Sequence, residues 1–382
     1  MKIVHAYKIY RPDVDGGIPQ VMALLTGNDT EAMTSGIVVA RYRGWARRFV
    51  MDGTQVTAVA SLGTLFSTPL APTYPFVLRE HAREADVLVH HAPFPLTDLG
   101  IAAGLSDRTA LVVYWHAEIL GRTLLRKLLT PAIKSALRRA DRIVVSDEAM
   151  IDNSEFLAPH RDKCAVVRYG IDLDYWSNLD DAGQLAVVGL RRHYPRLIVA
   201  VGRLVGYKGL DVLLNALPSV DAQLVIIGEG PLLDELQRQA IRSGVADRVF
   251  FKGRVSSDDI KHHLHAARML VLSSVTDAEA FGLVQVEAMA ARIPVINTNL
   301  PTTVPHVARH EQEGLTVAVG NAEALAQAMD RLLADTALAD RLGQAGLNRA
   351  QSEFSRQAYR AKIAEIFEQA VARRRAMSGR TK

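Results

Sequence analysis

Two carboxylates, Glu279 and Glu287, stand in the otherwise apolar stretch EAFGLVQVEAMA. An ionised acid in such surroundings needs hydrogen-bond donors or a counter-charge, because burial without either is costly. Upstream, VGRLVGYKG supplies the cations Arg203 and Lys208, IIGEGP supplies Gly228 and Gly230, and FKGRV supplies Gly253, Arg254 and Val255. Cations in one loop, glycines that permit close backbone approach and a helix amino terminus at Gly282 together suit a diphosphate. Each piece alone has a plainer reading. Glu287 could pair with a neighbouring base, Glu279 could be a solvated loop acid, and Arg203 with Lys208 could be a solvated basic loop.

Whether these residues meet depends on the elements that carry them. Short apolar runs alternate with helical stretches along the chain. A first series reads KIVHAY, GIVVAR, VTAVAS, DVLVHH, ALVVYW, RIVVSD and CAVVRYG; a second reads LIVAVG, LVIIGEG, VFFKG, MLVLSS, PVINTN and LTVAV. This alternation predicts parallel sheets covered by helices. Two series, separated by the break IDLDYWSNLDDAG, predict two Rossmann-like α/β domains, 1–180 and 190–358, joined near residues 173–195, with a last helix over 359–382 crossing back to the first. Open parallel sheets bind ligands beyond the carboxyl ends of their strands, so two facing sheets predict a cleft. The fragments above fall at such ends: ARMLVLSSV reads as a strand, Glu279 as loop, and LVQVEAMAAR as a buried helix that begins near Gly282 and carries Glu287.

At 382 residues, with 49% apolar and 23% charged, the composition is that of a soluble two-domain protein. The lone Cys164 excludes a disulfide framework and points to a reducing compartment. The opening residues lack a signal peptide's apolar core and no run is long enough to span a bilayer, so the expectation is a cytoplasmic protein. A net charge of +4 does not choose between an anionic ligand, an anionic membrane and neither.

In chain order, DGGIPQV, WHAE at 115–118, YGID at 169–172, GRLVGYKG, IIGEGP, FKGRV and EAFGLVQVEAMA resemble the retaining glycosyltransferases of family 4, which have the GT-B architecture. The opening HAYKIYRPDVDGGIPQV is further similar to bacterial mannosyl- and rhamnosyltransferases of polysaccharide assembly. The resemblance implies that Glu287 accepts hydrogen bonds from a nucleotide's ribose diol and that Glu279 holds sugar hydroxyls. It places backbone N–H groups around Phe281, Gly282, Leu283 and Val284 against the sugar and phosphates, and Arg203 and Lys208 against the departing diphosphate. Gly228 lies on the donor, Arg254 and Val255 meet the base, Gly16 and Gly17 leave room for the diphosphate, and His116 approaches the sugar's 6-hydroxyl. It also implies front-face transfer with retention, the departing phosphate taking the acceptor's proton. The donor is GDP-mannose or GDP-rhamnose, with a UDP-sugar as the alternative, and the acceptor a glycan or lipid-linked chain that gains an α-linkage. No cofactor and no metal is expected; Asp13 with Asp15 and Asp172 with Asp174 match D-x-D but read as turn chemistry. The chain departs from the family at Arg168 and Tyr169, where Pro-Asn is common, and at Pro19, where an acid is common. Pro19 bears on the sugar rather than the phosphates.

Residues 121–142, GRTLLRKLLTPAIKSALRRADR, carry seven basic residues and one acid among leucines. They read either as a surface for an anionic leaflet, with the protein peripheral on the inner membrane face, or as a core-packed helix with a solvated basic side. RYRGWARRF at 41–49 adds four arginines and three aromatics in a loop that could grip a lipid diphosphate. Nucleic acid fits less well, since no recognised binding module accompanies the charge. A two-lobed binding protein without catalysis would need a secretory signal, and a nicotinamide dehydrogenase would need G-x-G-x-x-G where YRPDVDGGIPQV stands.

Overall fold

The computed structural model describes residues 1–14, 16–26, 33–65, 68–117 and 123–378. Asp15, Glu118, Gly121 and Arg122 lie outside the described residues, as do the side chains of Leu124, Leu125 and Arg126. The chain divides into two compact units, Met1–Tyr169 with Gln357–Lys382, and Gly170–Arg356.

The first unit is built on β1 (Lys2–Tyr7), β2 (Thr34–Ala40), β3 (Arg47–Met51), β4 (Thr54–Val59), β7 (Val87–Ala92), β8 (Ala110–Trp115), β9 (Arg142–Val145) and β10 (Cys164–Val166). Their order is β10-β9-β8-β7-β1-β2-β4-β3, and a separate ribbon pairs β5 (Thr64–Leu65) with β6 (Thr68–Pro69). Every neighbouring pair in the large sheet is parallel except β3 with β4. β7 and β8 are buried at every position, which is why β8 reads as an unbroken apolar run, while β7 buries His90 and His91 within its own. β3 gives no such signal. It is an antiparallel edge strand whose arginines and valine face solvent, so part of the expected loop at 41–49 is strand.

In the second unit β11 (Leu197–Val201), β12 (Gln223–Ile227), β13 (Val249–Phe251), β14 (Met269–Val271), β15 (Val295–Thr298) and β16 (Gly314–Val317) form a parallel sheet ordered β13-β12-β11-β14-β15-β16. The order reverses between β11 and β14, and open sheets take their ligands at that switch point.

IDLDYWSNLDDAG is not a linker. The break falls earlier, between Tyr169 and Gly170, and of the four acids that read as linker composition two are helix caps and two stand in first helical turns. Asp172 accepts from Tyr175 N at 3.2 Å to start the helix Leu173–Ser177, and Asp180 accepts from Gly183 N at 2.8 Å to start Asp181–His193. In the first unit, the last helix, Arg356–Ser378, bonds Tyr359 to the Tyr114 hydroxyl at 2.7 Å and pairs Arg374 with Asp141 at 2.7 Å.

The helix Leu283–Ala290, which carries Glu287, is held from behind by Thr336–Glu353. A Cβ on Gly343 would lie 2.4 Å from the Arg292 carbonyl oxygen, and one on Gly346 3.2 Å from Met289 Cγ. Helix propensity alone would make Gly343→Ala stabilising by about 1 kcal/mol. The backbone contact should reverse the sign, to a loss of about 1–3 kcal/mol in urea denaturation. Gly189→Ala, on an exposed helix face where a Cβ meets nothing within 4 Å, should show the uncompromised gain.

Candidate functional site

The loops after β11 and β14 close on each other at the switch point. Val275 N donates to the Tyr207 carbonyl at 2.8 Å and Ser273 Oγ to the Lys208 carbonyl at 3.0 Å. Gly209, at φ +60°, permits this approach, because a Cβ there would stand 2.1 Å from the Ser273 carbonyl oxygen. Lys208 Nζ thereby reaches Glu279 Oε2 in an ion pair, and Ser274 Oγ donates to the same oxygen at 3.0 Å. Burial, the largest influence on Lys208, pushes its pKa down. The Glu279 charge, Tyr207 and the hydrogen bond outweigh it, and the ammonium ends above its ordinary value. Arg203 is exposed and, among the described residues, its guanidinium makes no ion pair or hydrogen bond. A cavity of about 220 Å³, part of it open solvent, is lined by Gly202, Arg203, Lys208 and Ser273.

The Glu279–Gly282 loop is fixed from below by buried side chains. Thr302 Oγ1 donates to the Glu279 carbonyl at 2.9 Å, and Gln285 Nε2 to the Phe281 carbonyl at 2.9 Å. Asn297 Nδ2 in turn donates to Gln285 Oε1 at 2.9 Å. Gly282, at φ +72°, caps the helix, and a Cβ there would strike Leu272 at 2.6 Å. Phe281 is buried, while Leu283 and Val284 are partly buried at the helix start, whose first N–H groups lack acceptors within the helix.

Glu287 lies one turn further on. Burial raises its carboxyl pKa to about 7, and among the described residues that carboxyl has no hydrogen bond or ion pair. Tyr175, whose hydroxyl donates to Asp258 at 2.7 Å, is the titratable group that feels its charge. The bland expectation of a basic partner for Glu287 therefore fails. Glu279, for its part, is a buried acid and not a solvated one.

Gly228 meets a packing need of the fold itself. At φ +140°, its missing Cβ would lie 2.0 Å from the Gly202 carbonyl oxygen, so the glycine lets two strand ends pack. Its N–H donates to the Gly253 carbonyl at 2.8 Å. Beyond Gly253, Arg254 is exposed and Val255 partly buried.

In the first unit, a Cβ on Gly16 or Gly17 would meet nothing within 4 Å, and Gly16 is extended at φ 176°. The protein itself does not require glycine at either position. Asp13 is tied to Arg41 at 2.7 Å, which with the capping role of Asp172 accounts for both D-x-D matches through their first members.

His116 sits at the end of β8 but is engaged on both sides of its ring. Its Nε2 meets His91 Nδ1 at 2.8 Å and its Nδ1 meets the Tyr169 hydroxyl at 2.7 Å; His91 Nε2 continues to His5 Nδ1 at 3.0 Å. All four side chains are buried. Burial lowers the pKa of His5 and His116 to about 3 and that of His91 well below its ordinary value, so the three imidazoles are neutral. As drawn, His116 has no ring nitrogen left for a sugar hydroxyl.

Comparison with known proteins agrees with this geometry. Residues 187–349 match the model described as "Glycosyl transferases group 1", and residues 21–170 match "Glycosyl transferase 4-like domain". The D-rhamnosyltransferase WbpZ of Pseudomonas aeruginosa is 31% identical over 345 residues, 90% of either chain. The O-antigen chain mannosyltransferase C of Escherichia coli is 25% identical over 93% of this chain and 95% of its own. The chain belongs to the group 1 glycosyltransferases. Its fold is GT-B: HepE of Anabaena, solved with UDP, superposes with TM-score 0.78 at 18% identity over 96% of this chain and all of that one.

The glycosyltransferase's second unit thus sets a paired cation, Lys208, and a cation whose side chain has no partner among the described residues, Arg203, at the carboxyl end of β11. Sequence reasoning found its charges but not its supports. Ser274, Gly209, Gln285 and Asn297 were passed over, although Gly209 directly after Lys208 was a signal for a left-handed turn.

Two expectations follow. Since the Glu287 pKa is raised on folding from 4.5 to about 7, its burial costs nothing below pH 4.5, and stability is lost as pH rises through 7. Glu287→Gln should therefore gain on the wild type across that window, by at most about 3 kcal/mol above pH 7, read from urea melts in series. The second concerns the histidine chain. Three links between neutral groups allow only two proton arrangements, and these differ in whether the unpartnered His5 Nε2 carries hydrogen. Buried orphan donors are rarer than orphan acceptors. His116 should then be protonated at Nδ1, with long-range ¹H–¹⁵N NMR signals that do not move from neutral pH down to about 5. An Nε2–H form, or titration near 6.5, would refute that arrangement.

Proposed function

We propose that this glycosyltransferase moves a hexose from a nucleoside diphosphate sugar to a glycan or lipid-linked acceptor of polysaccharide assembly. The donor is GDP-mannose or GDP-rhamnose, and the product is α-linked with retention. The observation that carries this reading is the Lys208–Glu279 pair at the switch point, with unpartnered Arg203 beside it. Arg203 and Lys208 stabilise charge that grows on the diphosphate as its bond to the anomeric carbon breaks. The acceptor oxygen bonds to the same face of that carbon and passes its proton to the departing phosphate oxygen. Glu279 orients sugar hydroxyls, and Glu287 accepts the two ribose hydroxyls, which supply the donors it lacks. No metal takes part, because the side-chain cations and the helix start meet the diphosphate. The names of the rhamnosyl- and mannosyltransferase relatives support the choice of sugar.

Slow donor hydrolysis without acceptor, over a panel of nucleotide sugars with and without EDTA, tests the reading. GDP-mannose or GDP-rhamnose should turn over ahead of UDP-glucose and UDP-N-acetylglucosamine, and EDTA should change nothing. Arg203→Met should lower that rate by about 10²–10³ with the melting temperature unchanged, since the side chain is exposed and unpartnered. Preference for a UDP-sugar would overturn the assigned donor, and loss of turnover in EDTA the assigned chemistry.

A further inference from the structure

The first unit carries an exposed apolar and basic platform that neither the donor site nor the core uses. The segments at 41–45 and 61–70 are joined by backbone bonds: Gly44 N donates to Ser61 O at 2.8 Å, Ser61 N to Gly44 O at 2.9 Å and Leu62 N to Leu70 O at 3.0 Å. Thr64 Oγ1 adds a bond to the Tyr42 carbonyl at 2.8 Å, and Arg41 ties the platform to Asp13. From this fixed base project Trp45, 89% exposed, and Leu62, 78% exposed, with Tyr42, Leu65 and Leu70 also in water. Arg43, Arg47 and Arg48 are exposed around them, and no acid occurs within 41–50 or 61–70.

Arginines on the edge strand β3 have an ordinary use in blocking strand addition. That does not explain a tryptophan almost wholly in water beside three exposed leucines. A second copy of this face would set the same arginines against each other, which disfavours self-association. Separate projecting tips suit a fluid, deformable surface better than a rigid partner, and Trp, Tyr and Arg together are the residues that settle at a lipid headgroup boundary. The helix Thr123–Arg139 competes poorly for that role. Its Leu128 is exposed beside Lys127, but Ile133 and Leu137 are packed in the core and Arg139 is bound to Asp141.

We propose that this platform seats the protein on an anionic phospholipid bilayer, with Trp45 and Leu62 in the interface and Arg43, Arg47 and Arg48 against headgroup phosphates. The inference rests on the reading that the acceptor is lipid-linked. It needs no membrane-crossing segment, and among the described residues no helix is long and apolar enough to cross.

The other tryptophans, Trp115 at 1% exposure and Trp176 at 9%, are buried, so fluorescence change on binding reports Trp45. The full chain is titrated with phosphatidylcholine vesicles with and without phosphatidylglycerol, and then with brominated lipid. Co-sedimentation should need phosphatidylglycerol and weaken with salt. Trp45 emission should shift blue and be quenched by bromine, and Trp45→Phe should remove that signal. Trp45→Ser and Leu62→Ser should each weaken binding about tenfold without lowering the melting temperature. Sedimentation with unchanged Trp45 emission would overturn the platform while leaving a lipid-linked acceptor standing. Absence of sedimentation, from protein that hydrolyses donor in solution, would overturn the platform and the lipid-linked acceptor but not the donor assignment. Dimerisation abolished by Trp45→Ser would make the patch a protein interface and refute the proposal.

Discussion

The ion pair between Lys208 and Glu279 is the constraint on which the second unit's site depends. Placing two charges at a largely buried strand edge is unfavourable unless their attraction and further hydrogen bonds offset the lost hydration. The pair meets that condition through contact with each other and through Ser274. It also requires two loops to approach to backbone distance, which explains Gly209 and the Tyr207 to Val275 bond. The Gln285–Asn297 amides extend the same logic downward, fixing the peptide that carries Phe281.

The first unit solves the problem of buried polarity in the opposite way. Its histidine chain contains no charge at all, and each link is satisfied by one hydrogen from a neutral partner. Stacking of Tyr114 on His116, with centroids 4.5 Å apart and planes 3° from parallel, holds the rings in register. A cluster of this kind resists protonation because any added charge would be buried among groups that cannot screen it. A lone histidine at a strand end reads as a reactive group, but here its environment makes it part of a rigid polar wall.

Fold and site differed in legibility for identifiable physical reasons. The inner strands of the second unit were readable because burial on both faces forces continuous apolar runs, as in LVIIG and LVLSS. β3 was not, since an edge strand with arginines facing water carries no such run. The acids of IDLDYWSNLDDAG misled because a capping Asp and a linker Asp are the same letter; only the N–H groups of Tyr175 and Gly183 distinguish them. The charges of the site were visible because Glu287 stands in an apolar helix where an acid is conspicuous. Partners such as Ser274 and Asn297 were not, because their role lies in contacts across the sheet. Gly228 shows a need that sequence does not separate from the one expected: a glycine that admits a ligand and one that admits the Gly202 carbonyl look alike in sequence.

A net charge of +4 was uninformative as a sum and becomes informative once the cations are sorted by partner. Arg349 pairs with Glu313 and Glu353, Arg139 and Arg374 share Asp141, Arg41 holds Asp13, and Lys208 holds Glu279. Apart from Lys208, which stands at the switch point, those charges are spent within the fold and present little field to a ligand. Arg203 at the switch point and Arg48 on β3 make no such pair among the described residues, and both stand in water. Coulomb attraction falls with distance and is screened within about 8 Å at physiological ionic strength, so an approaching anion responds to these local residues and not to the total. An excess of four positive charges spread evenly would steer nothing. Among the places where exposed cations have no such pair are the carboxyl edge of the second unit's sheet, at Arg203, and the edge strand of the first, at Arg48.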